Sequence, residues 1–195
     1  MILTLDLSTK CTGWAKFTKD GKLVKRGQII PDKDIGIYHK IQYITDQVKS
    51  LYAGVNELVI EGLYYGINVK SLLLLARLSG AVIYSWMSYK FRLPIIYTAS
   101  HARKLTGIKG NSHKAEIQIY VVKKYKYAPS SAIRHYEKLI EDSRFALKFK
   151  EIKKSGYKYR LNKISKLIME ETGIGEDQAD AIILGLAYME DKNES

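Results

Sequence analysis

Four acidic residues stand where a protein core would not ordinarily hold a carboxylate. Asp6 ends the first apolar segment of the chain, and Glu61 ends the apolar run over 58–60. Asp177 and Asp180 open the last apolar segment three residues apart, so on a helix they share one face. Carboxylates that face one another repel unless cations lie between them. Oxygen ligands of this kind suit Mg²⁺ or Mn²⁺ rather than Zn²⁺, and two such ions can clamp both oxygens of a phosphodiester cleavage.

Each acid alone also has an ordinary structural explanation. Asp6 begins a turn-prone Asp-Leu-Ser-Thr sequence, Glu61 could be a solvated strand end, and Asp177 would be favourable in a first helical turn. Asp180 is harder to explain, because alanines flank it inside an apolar run. The arrangement of all four acids is therefore more informative than any one of them.

The hydrophobic pattern predicts the elements that position these acids. Alternating residues predict strands over 2–7, 13–18 and 22–30, with Asp20-Gly21 as a hairpin turn. Three-to-four spacing predicts a helix over 34–53, capped by Asp34 and stopped by Gly54. Further predictions are strands over 57–61 and 93–97, and helices over 69–91, from 100, over 112–125 and over 176–190.

This order predicts an α/β fold, with a five-stranded mixed sheet flanked by helices on both faces. Three strands would be antiparallel and two parallel. The first and fourth strands would be neighbours, so Asp6 and Glu61 should lie side by side at one sheet edge.

The charge indicates a polyanionic partner. The 195 residues include 32 Lys and Arg against 20 Asp and Glu, a net charge of +12, and +9 of it lies over 123–170 with five tyrosines. Lysines release counterions from phosphates and tyrosines stack on bases, which favours nucleic-acid contact over a solvated helical face. We interpret 126–172 as a helical Lys/Tyr-rich insertion within a single domain, with helices over 131–154 and 163–171 joined at Ser155-Gly156.

Other classes of protein are disfavoured. The single Cys11 excludes an internal disulfide framework and a Cys-rich zinc site, and we interpret it as a packing residue. The N-terminus lacks the basic region of a signal peptide. The longest apolar stretch, 72–87, contains Arg77 and falls short of the ~20 residues of a membrane span. We therefore expect a cytoplasmic protein without a membrane partner.

Five motifs, in their order and spacing, resemble RuvC-type Holliday junction resolvases of the RNase H-like superfamily, most closely the phage branch. The resemblance covers residues 1 to about 122 and 174–190. Bacterial members carry Pro-Gly where this chain has Leu7-Ser8, and the family has a short link in place of 126–172. The motifs are Asp6…Thr12-Gly13-Trp14, Glu61-Gly62-Leu63-Tyr64, Leu75-Ala76-Arg77-Leu78-Ser79-Gly80, Lys109-Gly110-Asn111-Ser112-His113-Lys114 and Asp177-Gln178-Ala179-Asp180-Ala181.

The resemblance implies a site, a cofactor and an assembly. Asp6, Glu61, Asp177 and Asp180 would bind two Mg²⁺, for which Mn²⁺ would substitute. A homodimer would nick opposed strands of a four-way junction. Phage relatives also cut other branched forms, so the DNA partners of this chain could include flaps and Y forms. The apolar helix over 69–91 could meet its twin at Gly80, or be covered by the inserted segment.

The resemblance also implies DNA contacts. Lys114 would lie near the scissile phosphate and take part in catalysis, although it could be an ordinary solvated lysine. Tyr64 lies where the family carries an aromatic residue that stacks on a base near the junction centre. The predicted DNA-binding residues are Tyr64, Lys109, Lys114, Lys153, Lys154, Lys158 and Arg160.

These observations predict a Mg²⁺-dependent endodeoxyribonuclease of DNA recombination and repair that nicks Holliday junctions and other branched DNA. Alternatives are a nucleic-acid-binding protein of the same fold without catalysis, and a nuclease acting on RNA or an RNA–DNA hybrid. The stretch Asp6-Leu7-Ser8-Thr9-Lys10 also resembles the first phosphate loop of sugar-kinase and actin-like ATPases. That fold needs two lobes, for which 195 residues with one set of acidic strands are too few.

Overall fold

A five-stranded sheet forms the centre of the protein, in a computed structural model that describes residues 1–63 and 68–193. Its strands lie in the order β3-β2-β1-β4-β5. The first three strands are antiparallel, whereas β4 is parallel to β1 and β5 is parallel to β4. The predicted α/β fold class and mixed sheet are therefore confirmed. The strands are β1 (Ile2–Asp6), β2 (Thr12–Phe17), β3 (Leu23–Ile29), β4 (Glu57–Glu61) and β5 (Ile95–Tyr97).

Helices cover both faces of the sheet. Within the described residues they are α1 (Ile37–Ser50), α2 (Val69–Lys90), α3 (Ala99–Leu105), α4 (Lys114–Tyr125), α5 (Ser130–Lys148), α6 (Lys154–Thr172) and α7 (Glu176–Asn193). On one face, α1 and α2 enclose a core that contains Leu5, Ile60 and Trp86. On the other face, α4 to α7 enclose a second core with Phe17 and Val59. The central strands are apolar on both faces because each face is buried under helices.

Helix α7 packs directly across the central strands. Its residues from Gln178 to Tyr188 are buried, and the hydroxyl of Thr4 on β1 donates to the carbonyl oxygen of Ala181 at 2.6 Å. The same hydroxyl also lies 3.3 Å from the carbonyl oxygen of Ala15, so this buried polar group is satisfied. The second turn of α7 is thereby held against the middle of β1.

Two predicted boundaries are wrong. Helix α1 begins at Ile37 with Gly36 as its N-cap, and Asp34 instead lies in a turn in which its N–H donates to Asp32 Oδ1 at 3.0 Å. The predicted helices over 131–154 and 163–171 are joined at the wrong place, since α5 ends at Lys148 and α6 begins at Lys154. The predicted break at Ser155-Gly156 therefore lies inside the first turn of α6. The chain leaves α5 over 149–153, where Lys150 takes a left-handed conformation (φ +59°) that cannot continue a helix.

Helix α2 extends beyond both ends of the apolar stretch over 72–87 and matches the predicted helix over 69–91 to within one residue. Its 22 residues make it the one helix of the described part of the chain that is long and apolar enough to cross a membrane. Of its most apolar 18 residues, 22% are buried. A single helix of this kind is weak grounds for a membrane span, because core helices meet the same criteria. Here Leu78, Val82 and Trp86 bury one side of α2 against the core.

Candidate active site

The sheet topology brings the first two acids together. Leu5 of β1 pairs with Ile60 of β4, so Asp6 and Glu61, the next residues of two parallel neighbours, lie side by side. Burial raises the pKa of Asp6 well above its usual range, and the nearby Glu61, Asp180 and Asp177 raise it further. Burial also raises the pKa of Glu61, reinforced by Asp180, although a hydrogen bond with Asp6 opposes the shift. These carboxylates are thus both desolvated and close to one another.

A glycine lets α7 bring the other two acids to the same place. A Cβ added to Gly13 of β2 would lie 2.0 Å from the backbone oxygen of Asp177, so only glycine permits this approach. Asp177 opens α7, and Asp180 follows one turn later with 8% of its surface exposed. The predicted acids therefore converge from β1, β4 and α7.

An arginine that sequence reasoning did not select completes the cluster. Arg103 Nη2 of α3 lies 3.2 Å from Asp180 Oδ1, with 15% of the arginine side chain exposed. Burial raises the pKa of Asp180 even though the positive charge of Arg103 opposes the shift. Arg103 Nη1 also donates to the backbone oxygens of Gly110 and Ser112, both at 3.4 Å. Nothing local in the sequence marks Arg103, because its partners are up to 77 residues away.

Lys114 lies next to the acids but is already paired. Its Nζ is 3.0 Å from Glu176 Oε2, and the other oxygen of Glu176 accepts from the hydroxyl of Ser165 at 2.7 Å. Partial burial would lower the pKa of Lys114, but the Glu176 carboxylate outweighs it and the pKa is raised. Glu176 is a second residue that sequence reasoning missed. Lys114 therefore stays charged beside the cluster.

The donor set fits a divalent cation in its chemistry. Four carboxylates supply only hard oxygen ligands. The desolvation of Asp6, Glu61 and Asp180, and the repulsion among the acids, favour a cation between them. In the arrangement described here, residues 1–63 and 68–193 contain no group of three or more His, Cys, Asp or Glu side chains that could hold a metal ion. Asp180 is instead paired with Arg103, and Glu61 hydrogen-bonds with Asp6.

Cys11 lies beside this cluster as a weakly reactive thiol. Burial raises its pKa to about 12, and a hydrogen bond with Asp177 contributes. A thiol that stays protonated near neutral pH is a poor nucleophile. This agrees with its interpretation as a packing residue.

The turn into α4 presents side chains rather than free backbone donors. His113 caps the helix, since its Nδ1 accepts from the N–H of Ala115 at 3.3 Å and its own N–H donates to Glu116 Oε2 at 2.7 Å. Burial lowers the pKa of His113. Contact with phosphate at this turn would therefore depend on Lys114 more than on the helix N-terminus. Lys109 is exposed in the turn ahead of it.

The other predicted DNA-binding residues lie on and beside α6. Lys153, Lys154, Lys158 and Arg160 are all exposed, and Lys158 lines a groove that Lys114 also lines. Tyr64 lies outside the described residues, so its predicted role stays a prediction.

The class of protein follows from the fold and the site. A sheet of order β3-β2-β1-β4-β5 with acids at the ends of β1 and β4 and at the start of the last helix is an RNase H-like arrangement. The family model described as crossover junction endodeoxyribonuclease RuvC matches residues 2–131, about two thirds of the chain. The chain belongs to this family of junction-cleaving nucleases, as its motifs predicted. No curated protein matches it.

Two solved structures share the fold. One is Thermus thermophilus RuvC, with a TM-score of 0.60 and 10% identity, covering 99% of this chain and 95% of that chain. The other is T. thermophilus RuvC in complex with a Holliday junction substrate, with a TM-score of 0.60 and 8% identity, covering 100% and 95%. At such low identity these similarities establish the fold alone.

Proposed function

We propose that this protein is a structure-selective endodeoxyribonuclease that nicks Holliday junctions and other branched DNA by two-metal hydrolysis. The observation that carries the proposal is the convergence of the buried Asp180 and three partly buried carboxylates from β1, β4 and α7 beside a charged lysine, in a chain of the RuvC family. The structure of T. thermophilus RuvC with a Holliday junction supports this class of substrate. Such an enzyme would work in the cytoplasm, that of the host if the chain is viral.

The metal ligands in this proposal are Asp6, Glu61, Asp177 and Asp180, which would hold two Mg²⁺ or, as a substitute, Mn²⁺. When bound, the ions would activate a water molecule at neutral pH and neutralise charge on the attacked phosphate. The chain itself contributes the desolvation of Asp6, Glu61 and Asp180, which strengthens the electrostatic interactions of these carboxylates. Hydrolysis of this kind leaves a 5′-phosphate and a 3′-hydroxyl.

Two basic residues would assist from the protein side. Lys114 places a positive charge beside the acids, where a phosphate oxygen could accept from its Nζ once Glu176 is displaced. Arg103 is a positioning residue in this proposal, because it holds Asp180 and the turn that leads to Lys114 at the same time.

A homodimer would place two such sites on one junction. The outward face of α2 supports this assembly, since Leu73 and Tyr84 are 53% and 75% exposed and Gly80 has open space around it. The helices of the 126–172 segment lie on the other side of the sheet and do not cover this face. A second copy could therefore approach α2 closely at Gly80.

The decisive experiment compares Asp6→Asn with the wild type on labelled four-way, flap, Y and linear DNA in Mg²⁺. We expect paired symmetric nicks in the four-way junction from the wild type. We expect a loss of at least about a hundredfold in rate from Asp6→Asn, since one ligand of the cation is removed. Asp142→Asn, an exposed acid on α5, is the matched control and should cut normally.

Several results would contradict the proposal. Near wild-type nicking by Asp6→Asn would remove the acid cluster from the chemistry. Cutting of RNA-containing strands alone would identify a different nuclease. Tight junction binding without nicks at any Mg²⁺ or Mn²⁺ concentration would identify a binding protein.

A further inference from the structure

A groove runs between the turn that precedes α4 and the first half of α6. Its volume is about 570 Å³, within the range of roughly 300–1,000 Å³ that is usual for ligand sites. Most of its wall consists of side chains that can donate hydrogen bonds. Those on the α4 side are Asn111, His113 and Lys114, and those on the α6 side are Tyr157, Lys158 and Asn162.

We propose that this groove holds the phosphate backbone of the DNA strand adjoining the cleaved phosphate, so that the 126–172 segment grips DNA and not the second subunit. The inference rests on the nuclease function proposed above. It assigns to α6 a specific part of the substrate, the backbone beside the cleavage position.

The charges in the groove select an anion. The two acids that line it are already engaged: Glu116 pairs with Arg144, and Glu176 pairs with Lys114 and Ser165. Among the described residues Lys158 takes part in no ion pair, and its exposed side chain lines the groove. A ligand with several acceptor oxygens and negative charge is complementary to these donors, and a phosphodiester chain has both.

Two basic residues connect the groove with the acid cluster. Arg103 lines the groove, and its Nη2 lies 3.2 Å from Asp180 Oδ1. Lys114 likewise lines the groove and acts electrostatically on Asp6. A strand that follows the groove is therefore led to the carboxylates, with positive charge along the way.

The α6 wall is fixed in place before DNA arrives. Ser165 Oγ of α6 lies 2.6 Å from Gln118 Oε1 of α4 and 2.7 Å from Glu176 Oε1 of α7. Gln118 Nε2 also donates to the backbone oxygen of Ile174 at 2.8 Å, and Leu161 is buried in the core beneath. A wall of this kind loses little conformational entropy on binding.

The alternative role, contact with a second subunit, does not fit the placement of α6. Helix α6 packs in the core with α4, α5 and α7, on the opposite face of the sheet from α2. A twin seated on the exposed face of α2 would lie away from the groove. The position beside the acids thus favours DNA as the occupant.

Lys158→Gln tests the proposal, with Lys163→Gln as its matched control. Both lysines are exposed on α6, but a separation of five residues puts them on different sides of the helix. The Nζ of Lys163 instead lies 4.8 Å from the ring centre of Tyr159. The affinity for a four-way junction is measured by fluorescence anisotropy across a salt series, in the uncleaving Asp6→Asn background at a fixed low Mg²⁺ concentration.

We expect Lys158→Gln to weaken binding several-fold and to reduce the slope of log K against log salt by about 0.9, the value for one phosphate contact. Lys163→Gln should leave both quantities unchanged. The charge reversals Lys158→Glu and Lys163→Glu should enlarge the difference. Phosphate ethylation next to the nick should interfere with binding by the parent chain and interfere less with binding by Lys158→Gln.

Three outcomes would overturn the inference. One is that the Lys158 and Lys163 variants have equal junction affinity and equal salt slope, although the Asp6→Asn protein binds the junction and the wild type nicks it normally. Another is ethylation interference confined to phosphates remote from the nick. The third is a Lys158 variant that loses dimerisation in sedimentation while its DNA affinity is retained. If the wild type neither binds nor nicks junctions, the nuclease proposal itself fails, which is a different result.

Discussion

At the residue scale, the carboxylates of the site are held in an electrostatically costly arrangement. Asp6, Glu61 and Asp180 each have a pKa raised by burial, and Asp6 is raised further by the other acids. Arg103 and Lys114 offset this cost only in part. A binding site for cations has this character, because charge that is unfavourable in the free protein becomes favourable once a cation is present.

The raised pKa values predict that the metal-free protein loses stability as the pH rises. An acid with a raised folded pKa binds its proton more tightly in the folded state than in the unfolded state. Its contribution is therefore lost as the pH rises from the unfolded value, near 3.9 for Asp, through the folded pKa. In EDTA, the melting temperature of the wild type should therefore fall as the pH rises above about 4.

Asp6→Asn is the comparison that isolates the cluster from other titrating groups. The asparagine removes one negative charge, so its melting temperature should fall less steeply and should exceed that of the wild type at pH 7.5. About 1 kcal/mol would appear as roughly 2–4 °C in a chain of this size. Mg²⁺ should stabilise the wild type more than the variant. Parallel pH profiles for the two proteins would show that Asp6 is not under electrostatic strain.

At the element scale, the position of α7 against β2 decides whether the acids meet. The contact is possible because Gly13 leaves room for the backbone of Asp177. A backbone oxygen cannot turn aside as the end of a flexible side chain can. The glycine is thus required by close approach of two elements.

Gly13→Ala should therefore shift the start of α7. Overpacking of this kind costs about 1–3 kcal/mol, and the displaced Asp177 should also lower the nicking rate. The measurements are chemical denaturation and junction cleavage. In Gly156→Ala, where the nearest atom would be 3.6 Å from the new Cβ, stability should be unchanged or higher by up to about 1 kcal/mol. A Gly13→Ala protein as stable and active as the wild type would refute this account.

At the scale of the whole molecule, the two sheet faces carry different surfaces. One face presents α2 with exposed apolar side chains, and the other presents the basic helices and the groove. The net charge of +12 is concentrated on the second. In the proposed assembly, dimer contact and DNA contact would therefore use different faces of the sheet.

If the proposed dimer forms through α2, a charge on the outer face of this helix should give monomers. Tyr84→Asp places a carboxylate at a side chain that is 75% exposed, and its desolvation in an apolar interface would be unfavourable. Sedimentation velocity at micromolar concentration should show a dimer for the wild type and a monomer for the variant. Tyr159→Asp, at a tyrosine 60% exposed on α6, should remain dimeric. A monomeric wild type, or dissociation by the Tyr159 variant instead, would contradict the assignment of α2.

Much of the fold could be predicted because it depends on local patterns. Hydrophobic residues that recur every two positions, or every three to four, located every strand of the described residues and most of their helices. Asp20-Gly21 marked the hairpin. Two predictions were wrong because a residue type does not always take its most frequent role. Asp34 is of a type that often caps a helix but does not cap α1, and Ser155-Gly156 are of types that often interrupt a helix but lie inside α6.

The sequence by itself determined which acids belong together, because β1 and β4 end in Asp6 and Glu61 and a parallel pair must bring such ends side by side. Only the tertiary structure decided the partners of those acids and the place of α6. Arg103 reaches Asp180 across 77 residues, and Ser165 joins α6 to α7 through Glu176. Contacts of this kind depend on how helices pack in three dimensions, which leaves no periodic trace in the sequence.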